Sequence, residues 1–118
     1  MVQVQQGEQS RQMPAFFMFY IYILYSVSSD LFYVGYSSDP IRRLNEHNFK
    51  PFNNFTAKHR PWELKAFFQC ATNETEAIKM ERFIKKQKSR RLIEQLIDPN
   101  FKPTGVMAQL VRVPYLRD

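Results

Sequence analysis

From residue 16 onward bulky apolar side chains follow one another without a polar break. Phe17, Phe19, Ile21, Ile23 and Tyr25 fall on one side of an extended strand, and Met18, Tyr20, Tyr22 and Leu24 on the other. Aromatic and β-branched residues favour a strand, and apolar residues on both faces predict one covered on both sides. Ser28, Ser29 and Asp30 supply turn chemistry, after which residues 31–36 return to a β-type composition, so the first two elements form a hairpin. Asp39 before Pro40 starts a helix reaching about residue 48. Its carboxylate accepts from the free amides of the first turn, and a proline there forfeits no bond the helix needs. Ile41 and Leu44 predict that helix's core side, with Arg42, Arg43, Glu46 and His47 elsewhere on its circumference.

A polar, Phe-containing loop over residues 49–60 follows, with Pro51 and Pro61 as punctuation. Trp62, Leu64, Ala66 and Phe68 then alternate with Glu63, Lys65 and Phe67, the pattern of a third strand with one more polar face. Asn73 and Glu76 have capping-box spacing, and Ala77, Ile78, Met80 and Ile84 form the buried stripe of a helix to about residue 88. Ser89 caps a last helix bearing Leu92, Ile93, Leu96 and Ile97, which Pro99 ends. The order ββαβαα predicts an α+β domain over residues 15–98: a small three-stranded antiparallel sheet flanked by helices. Residues 1–14, polar and Gln-rich, read as a disordered head. Residues 99–118 read as a tail outside the core, its last dozen similar to peptides made when translation runs on into a neighbouring transfer-RNA gene.

The 118 residues, 44% hydrophobic and 15% aromatic, suit one domain with one core and exclude a multi-domain chain. A lone Cys70 excludes an internal disulfide and a Cys-rich zinc site, and fits a reducing, cytoplasmic setting. The apolar run at residues 15–27 is too short to span a membrane. Net charge is +6, from 17 Lys plus Arg against 11 Asp plus Glu, which favours a polyanionic partner.

Two hairpin segments, Tyr20-Ile21-Tyr22 and Tyr33-Val34-Gly35, precede Arg43 and His47 on the next helix, then Glu76-Ala77, Glu81 and Ile84-Lys85. In this order and spacing they resemble the GIY-YIG nuclease family across roughly residues 17–97. The small single-domain bacterial members are the most similar, with their Tyr-Val-Tyr-Ile-Leu strand, Arg-Arg-Leu-x-x-His-Asn helix and Trp-Glu-Leu strand. Tyr20 stands where the family has its first glycine. The resemblance implies a Mg²⁺-dependent (or Mn²⁺-dependent) endonuclease that hydrolyses DNA phosphodiesters in repair or processing, with RNA left open and no domain for reading sequence.

Phosphodiester hydrolysis needs an aligned water, a proton acceptor, and positive charge on the developing phosphorane. Tyr22, Tyr33 and Gly35 share one face of the hairpin, Gly35 leaving room beside the phenols for a phosphate or water. Tyr22 is the candidate base and Tyr33 its partner, the alternative being core aromatics with satisfied hydroxyls. The Arg43 fork suits the scissile phosphate. His47, four residues on, relays a proton, holds a phosphate oxygen, or merely packs the helix end. Glu76 has a local explanation as a cap, whereas Glu81 borders the buried stripe and matches the family's Glu-Ala-x-x-x-Glu glutamate. That makes Glu81 the metal candidate, unless Lys85 neutralises it. Arg42, Lys58, Arg60, Lys85, Lys86, Lys88, Arg90 and Arg91 are candidate phosphate contacts, against a solvated surface. Two non-enzymatic readings compete: a nucleic-acid-binding domain without turnover, and an interaction module using Phe49, Phe52 and Phe55.

Overall fold

A computed structural model describes residues 17–51 and 54–114. The hairpin strands are β1 (Phe19–Ser26) and β2 (Leu31–Ser37). Helix α1 (Pro40–Phe49) follows, then a one-turn helix α2 (Phe55–Lys58), strand β3 (Trp62–Ala71), helices α3 (Glu74–Lys86) and α4 (Arg90–Ile97), a 3-10 turn (Gly105–Gln109) and a short strand β4 (Val111–Arg112). The sheet is antiparallel in the order β2-β1-β3-β4. The expected cap residues act as such: Asp39, Asn73 and Ser89 accept from the amides of Arg42, Glu76 and Leu92. In the loop expected to lack structure, Asn54 caps α2 in the same way.

β1 is covered on both faces. Ile21 and Ile23 join Ala77, Met80 and Ile84 of α3 and Ile93 and Leu96 of α4 in the larger core. Tyr22 and Leu24 face the other way and pack with Trp62, Leu64 and Leu44 beneath α1. β3 feeds both cores despite its even alternation. A register shift against β1 between Ile23 and Leu24 leaves Lys65 as an extra residue, and a bulge of this kind turns the alternation over. Trp62 and Leu64 therefore belong to the smaller core, and Ala66, Phe68 and Cys70 to the larger.

Two expectations need correction. Ile41 is 44% exposed, and the inward edge of α1 is instead Pro40, Leu44 and His47. A buried polar side chain is invisible to an apolar periodicity. The second concerns the stretch after Pro99. Leu110 is buried in the larger core, Val111 and Arg112 pair with β3, and Gln109 Nε2 donates to the Cys70 carbonyl at 3.2 Å, so residues 105–112 add a fourth strand and pack on the domain. The predicted head lies outside the described residues. No described helix is long and apolar enough to cross a membrane.

Candidate active site

β2 is an edge strand, and α1 and α3 pack on opposite faces of the sheet beside it. The two helices converge over that edge at Gly35 and enclose a polar cleft of about 340 Å³. It is lined by Tyr22, Tyr33, Gly35 and Tyr36 from the hairpin, Arg42 and Arg43 from α1, and Glu74 and Glu81 from α3. α1 is fixed in place from its C-terminal end. Asn48 accepts from the Trp62 amide at 2.6 Å and donates to its carbonyl at 3.0 Å, while Arg60 donates to the carbonyls of His47 (2.5 Å) and Lys50.

Tyr22 is 1% exposed and lies opposite Gly35 in the register. The room at Gly35 expected for a phosphate or water is filled by the Tyr22 ring: a Cβ there would lie 2.5 Å from its Cζ and its Oη. Tyr22 Oη is 2.9 Å from His47 Nε2. The Tyr33 ring completes the cluster, 5.0 Å from the His47 ring and 6.4 Å from that of Tyr22. Burial pushes the Tyr22 phenol up to about 12, with Tyr33 adding to the rise and Arg43 opposing it. Burial, helped by the Arg43 charge, brings His47 down to about 4, so its imidazole is neutral at physiological pH. His47 Nδ1 is buried without a partner. A bare lone pair is less costly to bury than an orphaned N–H, which favours the tautomer with the proton on Nε2, donated to Tyr22 Oη. The Tyr22 hydroxyl proton is then free to point into the cleft.

Arg43 is held by Glu46, which also accepts from Arg42 at 2.8 Å. Burial acts against the Arg43 charge, but Glu46 and Tyr22 outweigh it and raise its pKa. Glu81 is largely shielded, its side chain 15% exposed, and Lys85 Nζ lies 3.3 Å away. Glu76 is exposed, does not line the cleft and pairs with Lys79 at 3.5 Å. Among the described residues no three His, Cys, Asp or Glu side chains gather into a ready metal cage. Mg²⁺ keeps several waters and needs only one or two protein carboxylates, so the shielded Glu81 carboxylate in the cleft fits a hard divalent cation.

The model of the GIY-YIG catalytic domain matches residues 18–94 of this chain. The chain belongs to the GIY-YIG family. It is also similar to a UPF0213 protein of Haloquadratum walsbyi, 32% identical over 84 residues that cover 69% of this chain and 92% of that protein. A GIY-YIG catalytic domain brings nuclease-type activity, a nucleic-acid substrate and, in the family generally, a divalent metal.

Within this GIY-YIG domain, the cleft gathers Tyr22, Tyr33, Gly35, Arg42, Arg43 and Glu81, with His47 behind Tyr22. The other basic candidates scatter. Arg60 is engaged as the C-terminal cap of α1, and Arg90 pairs with Asp30 at 2.6 Å and lies over Phe32. Lys85 sits 5.2 Å over the Tyr33 ring at the cleft's margin. Lys86 lies with Lys79 and Arg82 away from the cleft. Lys58, Lys88 and Arg91 are exposed. Sequence reasoning missed Tyr36 and Glu74, which line the cleft joined by a 2.8 Å hydrogen bond. Burial, then Glu74, raises the Tyr36 phenol to about 12. It also missed Glu46 as an orienting carboxylate, although its three- and four-residue spacing from Arg43 and Arg42 was a legible signal.

Proposed function

We propose that the protein is a metal-dependent endonuclease that hydrolyses DNA phosphodiesters at this cleft. The observation that carries the reading is the convergence, at one open edge of the sheet, of a His47-bonded Tyr22, a clamped Arg43 and the shielded Glu81 carboxylate.

In this reading Arg43, held by Glu46, receives the scissile phosphate and opposes the charge that builds on its oxygens. Tyr22 takes the proton of the attacking water at Oη. Burial outweighs the Arg43 charge and leaves the phenol near 12, so Tyr22 serves as the base only after its own proton has passed from Oη to solvent through the open cleft, a loss that further positive charge bound beside it would favour. Tyr33, beside them, orients the water or a phosphate oxygen. Glu81 would hold Mg²⁺, which when bound neutralises phosphate charge and eases departure of the leaving oxygen. Cation binding requires Lys85 to release Glu81, which leaves Lys85 free for a neighbouring phosphate. The contacts this reading assigns fall on phosphate oxygens, which carry no base identity, so it is a reading of weak sequence preference.

The test is incubation of the full chain with labelled single-stranded, duplex, flapped and branched DNA in Mg²⁺ or Mn²⁺, with EDTA controls. Internal cleavage that EDTA abolishes is expected. Binding without cleavage of any of them, in either metal, would point instead to the non-catalytic nucleic-acid-binding reading.

A further inference from the structure

Beside the cleft lies a more apolar groove of about 490 Å³, walled by Phe32 and Tyr33 of β2, Phe55 of α2 and Ile93 of α4, with Lys85 and Lys88 among its lining. Tyr33 lines both the groove and the cleft, so the two adjoin at that side chain. Phe55 is 50% exposed, yet its ring is seated against His59 and Trp62, with centroids 4.6 and 6.4 Å away. An aromatic platform is thus fixed in place with one side left to solvent. Lys88 has a φ of 49°, a left-handed conformation that glycine adopts with less strain, and it keeps a cation where α3 ends.

We propose that this groove receives an unpaired nucleotide of the substrate, with its base stacked on Phe55 and its phosphates beside Lys85 and Lys88. The substrate class is then nucleic acid with a single-stranded segment next to the scissile bond, an inference that rests on the nuclease reading of the cleft. Every base has a flat face that stacks on an aromatic ring whatever its identity, and flanking cations track the backbone. A base inside a duplex has both faces covered by its neighbours and cannot enter a recessed groove. The volume lies within the range that encloses a small organic group. Among the described residues no carboxylate lines the groove to greet a basic peptide, and the +6 chain with lysines at this site repels a second copy of itself.

The experiment measures equilibrium binding of fluorescein-labelled oligonucleotides to the full chain in EDTA, where no cleavage occurs, using a single strand and a blunt duplex of the same sequence. Phe55→Ala should weaken the single strand about tenfold and the duplex less than twofold, while Phe55→Tyr, which keeps the ring, retains wild-type binding of both. Lys88→Ala should lower single-strand affinity and flatten its salt dependence by about 0.7 in log–log slope. Equal loss on both probes with Phe55→Ala, or no loss on either, overturns the groove assignment. So does a concentration-dependent dimer in sedimentation that Phe55→Ala disperses, because the groove is then covered by another copy. The two readings fail separately: Phe55-dependent single-strand binding by a protein that cuts nothing in Mg²⁺ sinks the nuclease reading, and cleavage with no Phe55 dependence in binding sinks this one.

Discussion

Gly35 lies directly opposite Tyr22 across the β1–β2 ladder, and its missing side chain is the space in which the Tyr22 phenol rests. A methyl group there would stand 2.5 Å from Cζ and Oη, closer than real contacts allow, and the ring is too enclosed to step aside freely. Gly35→Ala should therefore swing the phenol off His47 and cost about 1–3 kcal/mol of stability. Cleavage should fall more than the loss of folded protein explains, which thermal melts and rates on the same samples will show.

Tyr22→Phe and Tyr33→Phe remove only a hydroxyl, so each variant should keep its sheet and its DNA affinity. Loss of a proton acceptor typically lowers turnover by roughly 100-fold or more, and the larger loss is expected at Tyr22, the phenol bonded to His47. Single-turnover rates at saturating enzyme separate this from binding. Full activity in both variants would remove the phenols from the chemistry.

His47 sets a pH dependence of stability whose sign follows from its burial. Its imidazole titrates near 4 in the folded protein against an ordinary 6.5. Between those values the unfolded chain binds a proton that the folded chain does not, so the contribution is complete above about 6.5 and is lost as pH falls toward 4. The full shift corresponds to roughly 3 kcal/mol. Urea unfolding at pH 7.5 and 5 should show about 2 kcal/mol of this loss, and His47→Gln should reduce it. Because His47 stays neutral above pH 5, the cleavage rate should show no inflection near 6.5 and should climb toward alkaline pH as Tyr22 ionises.

Much of this was legible in the residues. The β1 alternation and the caps at Asp39, Asn73 and Ser89 act over short distances or follow periodicities that sequence displays, whereas Tyr22, Tyr33, Arg43 and Glu81 were marked by the resemblance to the GIY-YIG family. What was hidden depends on tertiary placement. His47 turns inward because Tyr22 gives it a partner 25 residues away, Arg60 becomes a cap only once α1 ends beside it, and Tyr36 meets Glu74 from another element. Phe55 showed as an exposed aromatic but not as one wall of a groove, since the other walls come from β2, α3 and α4.

The segment after Pro99 gives a further test. Leu110 is 6% exposed among Phe68, Cys70 and Leu96, and the Val113 amide donates to the Phe67 carbonyl at 3.0 Å. Ending the chain at Pro103 should cost about 3 kcal/mol, the scale of emptying one buried leucine site, and lower the melting temperature by on the order of 10 °C. An unchanged melting temperature would show that β4 contributes nothing to the fold.

Glu81 and Glu76 sit five residues apart on one helix, one shielded at the cleft and one exposed outside it. Glu81→Gln and Glu76→Gln change the same charge by the same chemistry, which makes their comparison the most direct test of where catalysis occurs. Cleavage of a flapped DNA at fixed enzyme across a Mg²⁺ titration should be abolished in Glu81→Gln, with DNA binding and melting temperature nearly unchanged. In Glu76→Gln it should proceed at close to the wild-type rate, with at most about 1 kcal/mol lost from the helix start. Retained Mg²⁺-dependent cleavage in Glu81→Gln, or its loss in Glu76→Gln alone, would contradict the assignment of this cleft as the metal-dependent nuclease centre.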